Sequence, residues 1–192
     1  MATYIGYIAV PHGTYDQWRS ATIGNMYDVD GAWSGQCWDF CALLYWQYGR
    51  QLVTKAGGGY AADCWNVSRE VNSQSPFISL TGVENIKRGD ILVYDFCPAF
   101  PWSHICFADE DYHGGNAIYC FGQNQEGGGY GYKATVNRFT TTGLLGMFRN
   151  TNWEGSQPPT PESGYNKDGY NFVLFNRRKR QEKWTKKPLR KR

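Results

Sequence analysis

One stretch, residues 28–49, reads DVDGAWSGQCWDFCALLYWQYG and falls into two parts. Its first part holds oxygen donors at alternating positions, and the second, from Gln36 to Gly49, predicts a helix. Apolar side chains crowd most faces of that helix, which is typical of a central helix buried on several sides. Gly49 predicts its C-terminal end. We therefore expect the chain to fold around a helix that begins near Cys37.

Further elements are predicted on both sides of this helix. Thr14-Tyr15-Asp16-Gln17 has the form of a capping box and predicts a short helix over 15–23, and Asp63 predicts another through Asn72. After a turn at 87–90, short apolar runs predict strands over 91–96, 104–108, 117–121, 133–139 and 144–149. Helices followed by a run of short strands indicate an α+β fold, with the N-terminal helices packed on a small antiparallel sheet.

The composition changes near residue 150. Residues 1–150 are predicted to form one folded domain, 151–176 a Pro-, Ser- and Gly-rich linker with room for one edge strand, and 177–192 a basic tail. The tail holds ten Lys/Arg and one Glu, so residues 1–176 carry −6 of a total charge of +3. An anionic wall polymer, nucleic acid or virion proteins are the expected partners of such a tail. The alternative is a solvated segment that only aids solubility.

Several classes of protein are disfavoured. No run approaches the roughly 18 apolar residues of a membrane span, and the first residues lack the pattern of a secretory signal. The six cysteines include no Cys-x-x-Cys pair, so a structural zinc site is not expected. A chain of 192 residues folds without disulfide staples, and we expect most of these cysteines to be small buried side chains.

Cys37 is a candidate nucleophile. It lies in the first turn of its predicted helix, where unpaired amides and the helix dipole stabilise a thiolate. Of three histidines, only His104 begins an apolar strand, the kind of rigid element that holds a catalytic base. The next strand ends at Gln123 and Asn124, and either amide is placed to orient His104. The alternative is that Cys37 is simply a core residue.

The loop before Cys37 is a candidate metal site. Positions 1, 3, 5, 7 and 12 of residues 28–39 are Asp28, Asp30, Ala32, Ser34 and Asp39. Oxygen donors at this spacing suit Ca²⁺, which takes six to eight hard ligands. The loop differs from an EF-hand, since position 6 is Trp and position 12 is Asp. A turn that only caps the following helix is the alternative.

Four motifs together resemble the CHAP family, the cysteine, histidine-dependent amidohydrolases/peptidases common in phage lysins. They are Gly35-Gln36-Cys37-Trp38-Asp39-Phe40, Arg88-Gly89-Asp90-Ile91-Leu92-Val93, Trp102-Ser103-His104-Ile105 and Gly122-Gln123-Asn124. They occur in the family's order and span about residues 20–150. One departure is Gly122, where many phage members have Glu, so a catalytic tetrad using that Glu is not expected here.

The resemblance implies a papain-like α+β fold and cleavage of an amide bond in bacterial peptidoglycan. Cys37 would attack the carbonyl, His104 would transfer the proton and Asn124 would orient His104. The Cys37 amide with Gln36 would hold the oxyanion, and Gln123 would contact substrate. The same family resemblance implies a bound Ca²⁺ with Ala32 contributing its backbone carbonyl.

The expected function is therefore that of a phage peptidoglycan hydrolase, either an endolysin or a virion-associated lysin. Such a protein would be found in the host cytoplasm or the virion tail and would act on the cell wall. Muramoyl–L-alanine amidases and wall endopeptidases share the triad, so both bonds remain open. Two alternatives are a structural tail component with a hydrolase-like fold and a bacterial wall-remodelling amidase.

Overall fold

The computed structural model describes residues 11, 13–56, 58–125 and 132–153. Its helices are α1 (Tyr15–Thr22), α2 (Cys37–Gln47), α3 (Asp63–Asn66) and α4 (Arg69–Asn72), with a 3₁₀ turn at Val83–Asn85. Its strands are β1 (Phe77–Leu80), β2 (Ile91–Tyr94), β3 (His104–Ala108), β4 (Ala117–Gly122), β5 (Thr135–Thr140) and β6 (Leu144–Asn150).

The strands form one sheet in the order β1-β6-β2-β3-β4-β5, and each neighbouring pair is antiparallel. The two central strands, β2 and β3, are buried along their whole length. Helices precede the sheet in the chain, as the sequence predicts. The predicted α+β fold is confirmed.

Helix α2 packs on β3 and β4 at the centre of the sheet. Phe40 is fully buried there, and its ring meets Phe107 edge-on at 5.4 Å and Phe121 at 5.1 Å. The rings of Trp18 on α1 and Tyr27 close the same cluster. Because apolar residues surround α2, this helix holds the first half of the chain to the sheet.

A second cluster covers the opposite face of the sheet. It is built from Tyr94, Phe100, Cys106, Cys120 and Met147. All six cysteines are free, and Cys41, Cys64, Cys106 and Cys120 are fully buried. The expectation of small buried cysteines without a disulfide framework is confirmed for these four.

The prediction of one continuous helix over 63–72 is wrong. The structure has two short helices there, α3 and α4, separated at Val67 and Ser68. Ser68 is buried, and its hydroxyl donates a hydrogen bond to the carbonyl of Thr54. This bond to a distant loop holds the chain where a continuous helix would have run.

Strand β1 has no counterpart among the predicted strands. It pairs with β6 from Phe77↔Asn150 to Leu80↔Met147. The Phe77 ring stacks on Tyr45 of α2 with centroids 3.8 Å apart, so β1 extends the sheet under the far end of the helix.

The described chain ends at Trp153, whose indole packs edge-on against Tyr15 at 5.5 Å and against Phe107 at 6.0 Å. The predicted edge strand and the basic tail lie outside the described residues. Within the described part of the chain, no helix has the length and apolar character that crossing a membrane requires.

Candidate active site

Cys37 is the first residue of α2 and lies beside the start of β3. The backbone amide of Ile105 faces its sulfur and favours the thiolate, as do the amides of Cys37 and Trp38. Desolvation outweighs these amides and raises the pKa of the Cys37 thiol to about 11. The resting cysteine is therefore a neutral thiol at physiological pH, although part of the residue reaches the surface.

His104 opens β3 and is buried. Its ring stacks on Phe100, with centroids 4.9 Å apart and planes 10° from parallel, and meets Phe139 edge-on at 5.6 Å. Burial lowers the pKa of this imidazole to about 4, so it is neutral at physiological pH. Its Nε2 atom is buried and has no hydrogen-bond partner among the described residues. An imidazole in this state can accept a proton.

The structure places Cys37 next to Ile105, the residue that follows His104. Among the described residues, no hydrogen bond joins the side chains of Cys37 and His104. The imidazole packs with Phe100 of the second cluster, whereas Ile105 belongs to the cluster beneath α2. Cys37 is thus in contact with the backbone of the residue next to His104, while the His104 ring packs against the second cluster.

Asn124 follows β4. The β3–β4 ladder pairs Phe107 with Phe121 and Ala108 with Cys120. Because the two strands are antiparallel, Asn124, two residues past the end of β4, lies at the same end of the pair as His104, the first residue of β3. The Asn124 amide nitrogen donates to Gln36 Oε1 at 3.0 Å, while its Oδ1 is buried and has no partner in the described part of the chain. A donor and an acceptor that could pair, His104 Nε2 and Asn124 Oδ1, are thus both unsatisfied at this end of the sheet.

Gln123 is fully buried and joins three parts of the site. Its Oε1 accepts from the Tyr27 amide at 2.6 Å, and its Nε2 donates to Tyr27 O at 2.9 Å and Gln36 O at 3.1 Å. Its donors and its oxygen are all engaged by backbone. These contacts fix the residue before Cys37 against the end of β4, and a substrate contact by Gln123 stays a prediction.

Gln36 is the N-cap residue of α2. Its Nε2 donates to Trp33 O at 2.7 Å, and its Oε1 accepts from Asn124. The side chain is half-buried beside Cys37. This position is compatible with the predicted oxyanion contact, which stays a prediction.

Position 122 has no room for a larger side chain. A Cβ added to Gly122 would lie 2.7 Å from the side-chain amide of Gln125 and 3.0 Å from Cys106 Cβ. With its amide oriented to satisfy both neighbours, buried Gln125 accepts from the Gly122 amide at 2.8 Å and donates to Thr135 O at 3.1 Å. Gln125 therefore occupies the space that a Glu at 122 would need.

The acidic loop converges as the sequence predicts. Carboxylate oxygens of Asp28, Asp30 and Asp39 lie within 4.8 Å of one another. Asp39 also accepts from Gln36 N at 2.7 Å and Val29 N at 3.0 Å, which ties the loop to the start of α2. Burial, and then the other two carboxylates, raise the pKa of Asp39 to about 7. Three hard oxygen donors with mutual repulsion fit a divalent cation such as Ca²⁺.

The other two predicted ligands lie on the same loop. Ala32 donates its amide to Asp30 Oδ1 at 2.8 Å, and Ser34 adopts a left-handed backbone with φ 61°. Trp33 beside it has φ 64°, so two non-glycine residues in succession take this sparsely populated conformation. Loop geometry of this kind turns the chain sharply between the carboxylates and Cys37. Coordination by Ala32 and Ser34 stays a prediction.

Three residues that shape the site were not singled out from the sequence. Phe100 supports the His104 ring, Gln125 fills the space over Gly122, and buried Ser103 accepts from the Ala62 amide at 3.1 Å. Ser103 directly precedes His104 and has φ 59°. Its position next to a candidate base, in a Trp-Ser-His run, is the one feature of the sequence that points to a role for it.

Comparison with known proteins finds similarity in sequence and similarity in fold. A D-alanyl-L-alanine endopeptidase of Streptococcus phage B30 is 30% identical over 158 residues, which cover 82% of this chain and 34% of the relative. The crystal structure of the wild-type endolysin LysIME-EF1 superimposes with a TM-score of 0.58 at 19% identity, covering 74% of this chain and 66% of that one. No family model matches the sequence. The chain thus spans about a third of its sequence relative and shares its fold with an endolysin.

Proposed function

We propose that this chain is a phage peptidoglycan hydrolase of the CHAP type, which cleaves an amide bond of the bacterial wall through Cys37, His104 and Asn124. One observation carries the proposal: two buried atoms, His104 Nε2 and Asn124 Oδ1, have no partner among the described residues and belong to the same end of the β3–β4 pair, where Asn124 also bonds to Gln36, the residue before Cys37. Buried polar atoms are rarely left unpaired without a functional reason. The sequence relative and the endolysin fold support the same activity.

In the proposed mechanism, His104 accepts the thiol proton as Cys37 Sγ attacks the scissile carbonyl. The oxyanion is held by the Cys37 amide and the Gln36 side chain. Protonated His104 then gives its proton to the departing amine, and a thioester remains on Cys37. Water, deprotonated by His104, hydrolyses that thioester and restores the thiol.

Asn124 would orient the imidazole by accepting from Nε2–H, which leaves Nδ1 for the thiol. This requires Oδ1 to turn towards His104 and the imidazole to approach Cys37 as substrate binds. Catalytic hydrogen bonds are often long in free enzymes and tighten in the substrate complex.

The test is lysis of purified cell walls by wild type and by Cys37→Ala, His104→Ala and Asn124→Ala. We expect the first two variants to lose about a thousandfold or more in rate and to keep their melting temperatures. His113→Ala, which removes an exposed histidine of the loop between β3 and β4, is the matched control. Full clearing by Cys37→Ala would exclude the thiol mechanism, and wall binding without hydrolysis by wild type would favour a structural role.

The bond that is cut can be read from mass spectra of the digest. The name of the sequence relative makes the D-alanyl–L-alanine cross-bridge bond the first to examine. New amino termini on L-alanine with intact sugars are expected for that bond. Free muramoyl lactyl groups would instead identify a muramoyl–L-alanine amidase.

We also propose that Asp28, Asp30 and Asp39 hold Ca²⁺, with Ala32 O and Ser34 completing the ligands. The three clustered carboxylates support this proposal. A bound ion would neutralise the loop and fix the start of α2 through Asp39. Added Ca²⁺ should raise the melting temperature and EDTA should lower both it and the lytic rate, whereas Asp30→Asn, at the exposed ligand, should weaken both responses. Unchanged stability and rate in EDTA would remove the metal from the proposal.

A further inference from the structure

Three exposed aromatic side chains lie together on the described surface beside His104. Tyr60, Phe96 and Trp102 expose 45%, 49% and 67% of their area, and we name them the aromatic platform. The Tyr60 ring meets Phe96 edge-on at 5.0 Å and lies near-parallel to Trp102, 15° between planes, at 6.4 Å. Large apolar groups clustered in water are costly, and such a patch marks a contact surface.

The platform is built onto the candidate active site. Phe96 and Trp102 belong to the loop between β2 and β3, and that loop turns inward at Phe100, whose ring stacks on His104. The turn is closed by paired hydrogen bonds between Cys97 and Phe100, at 3.1 and 2.9 Å. One loop therefore presents aromatic rings outward and supports the candidate base on its inner side.

A second connection joins Tyr60 to the same place. Ser103, between Trp102 and His104, accepts from the Ala62 amide in the segment that bears Tyr60. Two loops far apart in sequence are thereby held together. A ligand bound on the platform would therefore contact the loop that leads into His104.

The platform itself is uncharged. Two carboxylates adjoin it: Asp63 accepts from the Tyr60 amide at 2.9 Å and meets Lys55 Nζ at 3.4 Å, and Asp95 accepts from the Phe96 amide at 2.8 Å. A peptide stem brings carboxylates and an ammonium group, for which these rings offer no partner. A pyranose brings an apolar face of C–H bonds, which matches the negative face of an aromatic ring.

We infer that the aromatic platform binds a neutral N-acetylated sugar of the glycan strand that carries the cleaved stem. The inference rests on the proposed function for its substrate and adds the recognition of the sugar. It makes Trp102 and Tyr60 determinants of specificity that act by stacking. The chemistry at Cys37 does not require them.

The first test measures binding without hydrolysis. A β-1,4-linked N-acetylglucosamine tetramer is titrated into the full chain, and the dissociation constant is measured by calorimetry. Trp102→Ala and Tyr60→Ala should each weaken binding by about tenfold, as expected when one stacked ring is lost. Trp46→Ala is the matched control, because this exposed tryptophan lies nine residues along α2 from Cys37, roughly 14 Å away. No binding by wild type, or equal binding by wild type and Trp102→Ala, overturns the inference.

The second test compares two soluble fragments, one stem peptide with its disaccharide and one without. Trp102→Ala should lower kcat/KM on the sugar-bearing fragment by about tenfold and leave the sugar-free fragment unchanged. Equal losses on both would mean that Trp102 acts on the catalytic loop, and the inference would fail. If Cys37→Ala binds the tetramer while wild type hydrolyses no wall, the proposed function fails and the sugar site stands.

Discussion

The replacement of Gln123 by methionine tests the central claim that one buried amide holds the site together. Methionine keeps the volume of the side chain, so the change removes hydrogen bonds without opening a cavity. Three bonds are lost, to Tyr27 N, Tyr27 O and Gln36 O, of which the first two are fully buried. The free energy of unfolding should therefore fall.

The size of the effect follows from the groups left behind. Each buried backbone group without a partner costs about 1–3 kcal/mol, so the two fully buried groups of Tyr27 together cost roughly 2–6 kcal/mol. For a domain of this size, 1 kcal/mol corresponds to about 2–4 °C, so the melting temperature should fall by about 4–24 °C. That is a large share of the stability of an ordinary domain, which is about 5–15 kcal/mol.

The assay is urea unfolding followed by circular dichroism, together with thermal melting. Gln51→Met is the control, because Gln51 is exposed and its replacement should change stability by less than about 0.5 kcal/mol. Wall lysis measured well below the melting temperature of the variant should still be reduced, since Gln36 and the start of α2 lose their anchor. A melting temperature within about 2 °C of wild type would refute the assignment of Gln123 as a clamp.

Three further predictions follow from the same region and its support. Alkylation of Cys37 by iodoacetamide, corrected with Cys37→Ala, should rise with pH until about 11, the pKa to which burial raises its thiol; a plateau already at pH 7 would reveal a thiolate–imidazolium pair instead. Gly122→Glu should destabilise the fold by about 1–3 kcal/mol in urea titration because it must displace Gln125, and an unchanged urea midpoint would contradict this packing. Arg149→Leu should cost about 3–5 kcal/mol because it removes the guanidinium that meets the buried Asp90 carboxylate at 2.8 Å through two nitrogens; an unchanged urea midpoint would show that the pair is dispensable.

Local signals in the sequence predict the elements that carry the site. Thr14 accepts from the Gln17 amide at 3.2 Å, as the capping pattern implies, and α1 runs from Tyr15 to Thr22. Helix α2 begins at Cys37 and β3 at His104, where the apolar patterns place them. The three carboxylates of the acidic loop, Asp28, Asp30 and Asp39, converge because they lie within one short stretch of the chain.

Long-range contacts decide what the sequence misses. Asn72 forms hydrogen bonds with both backbone groups of Val53 and with Cys64 O, and Ser68 forms one with Thr54. The secondary structure of residues 63–72 therefore depends on a loop ten or more residues away. The packing role of Gln125 could not be predicted from the sequence for the same reason. It depends on Gly122 and Thr135, which meet only when β4 and β5 pair. Propensity cannot report such contacts, since they exist only in the assembled sheet.

The pairing of β3 with β4 has a use beyond the site. His104 and Asn124 lie at one end of this hairpin, and its connecting loop, residues 109–116, lies at the other, about 13 Å along the strand. At the tip, Gly114 and Gly115 are exposed and have no atom within 4 Å of an added Cβ. An affinity tag or a wall-targeting peptide inserted between these two glycines would project away from the proposed reacting groups. The hairpin loop is therefore an insertion site at which we expect the lytic rate to be unchanged.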